Sequence, residues 1–301
     1  MNLRHFLSLR DLTATELRGV VHRAMELKRT RTSEHMRKPL LGRTLALIFD
    51  KSSTRTRVSF EAGMTQLGGA AMFLAPGDLQ LGRGEPIEDT ARVISRMVDV
   101  IAIRTHEHDK IERFAAHSRV PVINALTARH HPCQLLADVQ TFMEHRGDIR
   151  GCVAAWVGDG NNVCHSWIEA ATLFDFTLRV ATPGGYTPAA DIVAAAGNHV
   201  RLTDSAMDAV ARADIVITDT WASMGQEQEK QERARIFAPY QVHAALMRQA
   251  GPQAVFMHCL PAYRELEVTG EVIDGPQSVV WDEAENRLHA QKALLEFLLN
   301  V

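Results

Sequence analysis

Apolar and polar positions follow two different periods along this chain. Short unbroken apolar runs bounded by polar or glycine residues predict buried β-strands, and longer stretches with apolar residues every three or four positions predict helices. Unbroken apolar strands are typical of parallel sheets that are covered on both faces. The runs predict strands over 44–49, 70–74, 99–104, 121–125, 152–157, 177–182, 214–218, 254–258 and 278–281, and helical segments over 86–97, 133–145, 163–174, 188–197, 239–249 and 284–300.

Strands and helices alternate in two series, which a polar, glycine-containing link separates at Arg146–Gly151. This alternation predicts an α/β fold with two domains, each a mostly parallel sheet flanked by helices. We place one domain at 1–148, joined by a C-terminal helix over about 284–301, and the other at 149–283. The loops 75–86 and 223–235 are long enough to act as mobile lids.

Composition narrows the class of protein. The 301 residues carry a net charge of −3 without a basic stripe, which gives no support for a nucleic-acid partner, and no apolar run is long enough to span a membrane. The four cysteines form no C-x-x-C pair, so we expect a reducing, cytoplasmic environment. His106 and His108 lack a second ligand pair with zinc spacing, so we expect no metal site.

The run Ser53–Arg57 follows the first predicted strand and opens a predicted helix. A helix N-terminus presents unpaired backbone N–H groups, to which this run adds three hydroxyls and a guanidinium that matches a phosphate. The sequence therefore indicates a seat for a phosphate dianion. The alternative is that the hydroxyls only cap the helix while the arginines are solvated.

Polar residues also follow other strands of the first half. Arg104 ends a buried strand, and His131 and Gln134 flank Pro132, which suits the first turn of a helix. An imidazole and a carboxamide at this point can hold a carbonyl oxygen and its amino group, as an oxyanion hole does. The alternative for His131 is a helix cap.

In the second half, the segment Gly158–Asn162 lies between a strand and a helix and invites a dinucleotide-binding interpretation. That interpretation fails, because Val163 occupies the third glycine position and the next strand ends at Arg179-Val-Ala-Thr without an acid. Asn162 remains well placed to hold a small carboxylate.

Two further strand ends in this half carry polar groups. Asp219 suits an α-ammonium group, and Ser223 can add a hydrogen bond. Cys259 and Leu260 end a strand that Pro261 breaks. A buried free cysteine is more often packing than chemistry, so both interpretations of Cys259 stay open.

Four short motifs follow one another along the chain: Ser-Thr-Arg-Thr-Arg, His-Pro-Cys-Gln, Asp-x-x-x-Ser-Met-Gly and His-Cys-Leu-Pro. Together they resemble the aspartate/ornithine carbamoyltransferase family over essentially the full length, and the last two resemble its ornithine branch. The resemblance implies two Rossmann-like domains, no cofactor, and a homotrimer, or a multiple of one, with active sites shared through Gln80. The implied reaction transfers a carbamoyl group from carbamoyl phosphate to the side-chain amine of L-ornithine.

The resemblance also implies a role for individual residues. Those implied for carbamoyl phosphate are Ser53, Thr54, Arg55, Thr56, Gln80, Arg104, His131, Gln134 and Arg287. Those implied for ornithine are Asn162, Asp219, Ser223, Met224, Cys259 and Leu260, and the catalytic set is Arg104, His131, Asp219 and Cys259.

Two positions depart from the pattern of relatives. Cys133 stands where many relatives have threonine or another small residue, and Gln80 and Arg83 stand in a loop where the aspartate branch has a lysine. Three alternatives remain at this stage. They are transfer to acetylornithine, putrescine or aspartate, a nicotinamide-dependent oxidoreductase on a similar fold, and a non-catalytic binding module.

Overall fold

The computed structural model describes residues 3–31, 37–78, 84–222 and 229–301. The chain forms two compact units, which are described separately: the first unit is Met1–Gln140 with Glu285–Val301, and the second unit is Thr141–Ala284. The division after Gln140 lies within a helix, while the predicted link follows that helix. Within the described ranges, every helix falls short of the length and apolar character that a bilayer crossing needs.

The first unit is built on a parallel sheet of four strands in the order β2-β1-β3-β4. Leu45 to Phe49 of β1 are all buried, as expected for a central strand with helices on both faces. Phe6 extends the sheet beside β4, because its N–H donates to the Val122 carbonyl at 2.8 Å. The strands are β1 (Thr44–Phe49), β2 (Ala70–Leu74), β3 (Val100–Arg104) and β4 (Val122–Leu126).

Helix starts in this unit follow local sequence signals. Thr13 and Glu16 form a capping box at the start of α1, with the Glu16 carboxylate accepting the Thr13 N–H at 2.8 Å. The helices are α1 (Ala14–Arg29), α2 (Thr54–Gln66), α3 (Ile87–Ile94), α4 (His108–His117) and α5 (Pro132–Arg146), and most of α12 (Val280–Leu299) returns to this unit.

The second unit is built on a parallel sheet of five strands in the order β7-β6-β5-β8-β9. The strands are β5 (Val153–Val157), β6 (Thr177–Ala181), β7 (Val200–Thr203), β8 (Ile215–Thr218) and β9 (Val255–His258). The helices are α6 (Asn162–Phe174), α7 (Ala190–Ala196), α8 (Ala206–Val210), α9 (Lys230–Phe237), α10 (Ala244–Met247) and α11 (Gly270–Ile273).

The predicted α/β class with two parallel sheets is confirmed, and several local features differ from the sequence-based expectations. The strand at 278–281 is absent, because Ser278 makes only an isolated bridge to Phe256 and α12 begins at Val280. The short edge strand β7 was not predicted. The loop 223–235 is in part helix, since α9 occupies its end; residues 223–228 lie outside the described ranges.

Candidate active site

The run Ser53–Arg57 forms the first turn of α2, directly beyond the end of β1. Ser53 is the N-cap residue, yet within the described residues its side chain accepts no hydrogen bond from the helix. Its hydroxyl donates instead to Thr56 Oγ1 at 3.0 Å. The simple cap interpretation therefore does not hold for Ser53, and the N-terminus of α2 keeps its backbone N–H groups available for an anion.

Arg287 links this turn to the helix that begins at Pro132. Its guanidinium donates to Thr56 Oγ1 at 3.1 Å and to Gln134 Oε1 at 2.6 Å, and all three side chains are buried. Gln134 in turn donates to Asp138 Oδ1 at 2.8 Å. The carboxamide oxygen therefore faces the arginine, and the amide nitrogen faces the carboxylate.

His131 lies among three cations. Burial lowers its pKa well below the ordinary value, and the charges of Arg287, Arg104 and Arg55 lower the pKa further. The side chain is 4 % exposed and Arg104 is 8 % exposed. At neutral pH this corner of the first unit therefore combines concentrated positive charge with an uncharged imidazole.

The segment that carries His131 is held by buried polar contacts. Asn124 on β4 donates to the Leu7 carbonyl at 2.8 Å, and Thr127 N–H donates to the His130 carbonyl at 3.0 Å. Cys133 donates its S–H to the Asn124 carbonyl at 3.4 Å, and burial raises the pKa of this thiol to about 12. Cys133 is therefore an inert packing residue.

In the second unit, three neighbouring strands deliver polar groups to one edge of the sheet. Gly158–Asn162 follow β5, Asp219 follows β8 and Cys259 follows β9, and these strands are adjacent. Parallel strands end at the same edge, which is where ligands bind in open α/β sheets. Cys259 Sγ donates to Asp219 Oδ1 at 3.3 Å, so the thiol and the carboxylate are in direct contact.

Asn161 and Asn162 occupy the turn between β5 and α6. Asn162 is the first residue of α6 and is half-buried. Asn161 is the N-cap; it accepts the N–H groups of Val163 and Cys164, and it donates to Asp219 Oδ2 at 2.6 Å. Sequence reasoning missed Asn161, although its position just before a helical run is a cap signal.

The turn needs glycine at 160 because another loop lies against it. A Cβ on Gly160 would lie 2.3 Å from Pro188 N and 2.5 Å from Thr187 C, both backbone atoms. The Gly160 N–H donates to the Tyr186 carbonyl at 2.9 Å. Close backbone approach, rather than phosphate binding, accounts for this glycine.

Arg233 is the main correction to the sequence interpretation of this unit. The charged sequence of 226–235 is typical of a solvated lid or helix face, but Arg233 is 3 % exposed and donates to the Asp159 carboxylate and to the Trp221 carbonyl. Its guanidinium lies over the rings of Tyr186, at 4.7 Å, and Phe237, at 5.1 Å. The surrounding charges in the sequence concealed a buried cation.

Asp159 is half-buried and is paired with Arg233. Burial raises its pKa to about 6, Arg233 opposes that shift, and the neighbouring carboxylate of Asp219 adds to it. The positive charge of Arg233 therefore compensates the charge of Asp159, one of two carboxylates that lie close together.

A buried pair fixes the turn that carries Cys259. Nδ1 of His258 accepts the Leu260 N–H at 2.9 Å, so the imidazole proton is on Nε2 and is donated to Glu267 at 3.1 Å. One oxygen or sulfur each of Asp219 and Cys259 and a ring nitrogen of His258 lie within 4.8 Å of one another, close enough to approach a metal ion. Both His258 nitrogens already make hydrogen bonds, which favours a structural role for this imidazole.

The structure thus brings together two groups of predicted residues, one in each unit. The first group is Ser53, Thr54, Arg55, Thr56, Arg104, His131, Gln134 and Arg287; the second is Asn162, Asp219, Cys259 and Leu260. Gln80, Ser223 and Met224 lie outside the described residues.

Sequence profiles of known families match nearly the whole chain. The profile described as the aspartate/ornithine carbamoyltransferase carbamoyl-P binding domain matches residues 4–144. The profile described as the Asp/Orn binding domain of the same enzymes matches residues 150–298.

Individual relatives agree with these profiles. The chain is 61% identical over 297 residues to an ornithine carbamoyltransferase of Halorhodospira halophila, covering 99% of both chains, and 58% identical over 300 residues to one of Acinetobacter baumannii, covering 100% and 98%. Among solved structures, the ornithine carbamoyltransferase from Pyrococcus furiosus matches with a TM-score of 0.94 at 49% identity, covering 99% of this chain and 97% of that one. The one from Burkholderia thailandensis matches with a TM-score of 0.92 at 54% identity, covering 99% of both.

Proposed function

The chain belongs to the aspartate/ornithine carbamoyltransferase family, and we propose that it transfers the carbamoyl group of carbamoyl phosphate to the side-chain amine of L-ornithine, giving L-citrulline and phosphate. The observation that carries this proposal is the cluster of three guanidinium groups around a neutral, buried His131 in the first unit. Such a corner suits a ligand that combines a phosphate dianion with a polar carbonyl group.

Carbamoyl phosphate binds in the first unit. The backbone N–H groups at the start of α2, the hydroxyls of Ser53, Thr54 and Thr56, and the Arg55 guanidinium receive the phosphate. Ornithine is a cation, so the three arginines repel it until the phosphate has neutralised them. We therefore expect carbamoyl phosphate to bind first, and Gln80 to reach the site of a neighbouring subunit.

The carbamoyl group is polarised by Arg104, His131 and Thr56. Thr56 Oγ1 already accepts hydrogen bonds from Ser53 and Arg287, which leaves its own proton for a ligand oxygen. As the amine attacks, charge develops on the carbonyl oxygen, and a nearby arginine and neutral imidazole stabilise that charge. Gln134 and Arg287 hold the carbamoyl group in place.

Ornithine binds in the second unit. Asn162 holds its α-carboxylate and Asp219 pairs with its α-ammonium group. Ser223 and Met224 complete the set that holds these two groups. Cys259 and Leu260 face the side-chain amine. That set suits a free α-amino acid, because putrescine has no α-carboxylate and an acetylated nitrogen offers Asp219 no positive charge.

The side-chain amine must lose a proton before it can attack, since a free alkylamine has a pKa of about 10. The contact between Cys259 Sγ and Asp219 provides a short path for that proton. Attack forms the new C–N bond, the tetrahedral centre collapses, and the C–O bond to phosphate breaks. The departing phosphate can accept the proton, so neither a covalent intermediate nor a cofactor is required.

The nicotinamide alternative has weaker support. Val163 occupies the third glycine position, and Asn161 rather than a bound pyrophosphate satisfies the N–H groups at the start of α6. The remaining alternative amines are tested directly by measuring turnover.

We further propose a cytoplasmic homotrimer, or a multiple of one, that acts in arginine biosynthesis. Edge strand β2 is apolar but poorly buried, with Met72 45% exposed and Val58 on neighbouring α2 57% exposed. An apolar edge of this kind is normally covered, here by a second copy of the chain. One solved relative, from Campylobacter jejuni at 41% identity and TM-score 0.93, is described as an anabolic ornithine carbamoyltransferase. Light scattering should give about 100 kDa, three times the chain mass of 33.4 kDa, or a multiple of it.

The test of the proposed activity is citrulline formation from carbamoyl phosphate with L-ornithine, compared with acetylornithine, putrescine and aspartate under the same conditions. Rapid carbamoylation of ornithine and slow reaction of the other three is the expected result. Equal or faster turnover with another amine, or no product at all, contradicts the proposal.

A further inference from the structure

Asn161 connects two parts of the second unit that the proposed function uses separately. Its side chain contacts the start of α6, where Asn162 lies, and also the Asp219 carboxylate. We propose that Asn161 is a positioning residue that sets the carboxylate-binding and ammonium-binding groups for ornithine in register. This inference rests on the proposed function.

The orientation of the Asn161 carboxamide is fixed by its partners. Val163 N–H and Cys164 N–H, at 2.9 Å and 3.1 Å, can only donate, so they must face the oxygen. The amide nitrogen is then directed to Asp219 Oδ2 at 2.6 Å. A flipped amide would set oxygen against oxygen at Asp219 and nitrogen against two N–H groups.

The Asp219 carboxylate accepts three hydrogen bonds, and Asn161 donates one of them. Its Oδ1 accepts the Thr220 N–H at 2.7 Å and the Cys259 S–H at 3.3 Å, while Oδ2 accepts Asn161. Thr220 is the next residue in the chain, so its contact moves with Asp219. Asn161 is the contact that ties this carboxylate to the helix bearing Asn162.

The separation of the two sets of binding groups matters because the α-carboxylate and the α-ammonium group of an amino acid are attached to the same carbon. The α-carboxylate and α-ammonium groups of an amino acid have a fixed separation, so the groups that bind them must keep a fixed separation too. Losing the link lets Asp219 rotate away from its bound geometry, and binding must then order it again. Removing the contact therefore weakens the binding of ligands that carry both α-groups, and it leaves the binding of carbamoyl phosphate unchanged.

Three variants separate positioning from helix capping. Asn161→Ser and Asn161→Asp both keep a good N-cap, whereas Asn161→Ala loses it. Serine is too short to reach Asp219, and aspartate sets a like charge against it. The ligand is L-norvaline, which is ornithine without its side-chain amine, titrated calorimetrically at pH 8 in the presence of carbamoyl phosphate.

We expect norvaline affinity to fall about tenfold in Asn161→Ser and about 100-fold in Asn161→Asp, the scale of one lost charge-assisted hydrogen bond and of an added repulsion. KM for ornithine should rise in the same order. The Tm of Asn161→Ser should stay near the wild-type value, and the affinity for carbamoyl phosphate should change less than twofold in both.

Wild-type norvaline affinity in the serine and aspartate variants, with loss only in Asn161→Ala, would assign Asn161 to capping alone and overturn the inference. A parallel loss of carbamoyl phosphate affinity would overturn it too, because the damage would then be general. A wild-type protein that binds norvaline but forms no citrulline would instead refute the proposed function.

Discussion

Replacing Arg55 with methionine tests the phosphate seat most sharply. Methionine keeps most of the apolar stem of the side chain and removes the guanidinium, with its charge and its hydrogen-bond donors. A charge-assisted hydrogen bond contributes about 1.5–3 kcal/mol, which corresponds to about 10- to 150-fold in affinity. Arg55 is half-buried and two other arginines lie near His131, so screening favours the lower half of that range.

We therefore expect Arg55→Met to weaken the binding of inorganic phosphate and of carbamoyl phosphate by about 10- to 40-fold in calorimetric titrations. The pKa of His131 should rise, since one of its three neighbouring cations is gone, and an NMR titration of the imidazole reports that change.

Arg57→Met is the matched control, two residues along the same helix turn. Arg57 is paired with Glu61 at 2.8 Å and lies over the Phe73 ring at 4.0 Å, so it is engaged away from His131. Phosphate affinity within twofold of wild type is expected for this variant. Equal affinities of wild type and Arg55→Met, or a larger loss in Arg57→Met, would refute the assignment of Arg55.

Three further predictions concern stability. Burial lowers the pKa of His289 to about 4 from 6.5, so unfolding takes up a proton between these values; Tm should fall on acidification through this window, and less steeply in His289→Gln. Gly160→Ala sets a methyl group against backbone and should cost about 3 kcal/mol in urea unfolding, whereas Gly19→Ala, with open space in α1, should gain about 0.5–1 kcal/mol. Arg233→Met should lower Tm more at pH 8 than at pH 5, because Asp159, with its pKa already raised to about 6, loses its counter-charge once it is ionised.

Each of these has an outcome that contradicts it. Parallel Tm profiles of wild type and His289→Gln from pH 4.5 to 7 would show that the pKa of His289 is the same in the folded and unfolded states. A stable Gly160→Ala would mean that the neighbouring loop yields easily. A pH-independent effect of Arg233→Met, or the same pH dependence in an Asp159→Asn background, would remove Asp159 as its electrostatic partner.

The strands that position the site were predictable because each is an unbroken apolar run. β1 was predicted over the residues it occupies, and Arg104, Asp219 and Cys259 end or follow strands as their sequence positions indicated. The predicted strand at 278–281 failed because a short apolar run preceding a helix has no period of its own. Tertiary context, in this case α12, decided its conformation.

The polar contacts within each unit were harder to predict from the sequence. Arg287 entered only through the family resemblance, since nothing local relates it to Thr56, which is 231 residues away in the chain. Arg233 lies in a strongly charged stretch, where composition favours solvent exposure. Asn161 has a cap signal, but its second contact depends on the order of the strands β5 and β8, which no local pattern encodes.

Isotope transfer tests the central claim most directly. The protein is incubated with ¹³C-labelled carbamoyl phosphate and L-ornithine carrying ¹⁵N at the side-chain amine, and the product is examined by ¹³C NMR. We predict a carbamoyl carbon split by a directly bonded ¹⁵N, and no splitting when the label is on the α-nitrogen instead. Splitting only with the α-label, or no carbon transferred to ornithine, would contradict the account.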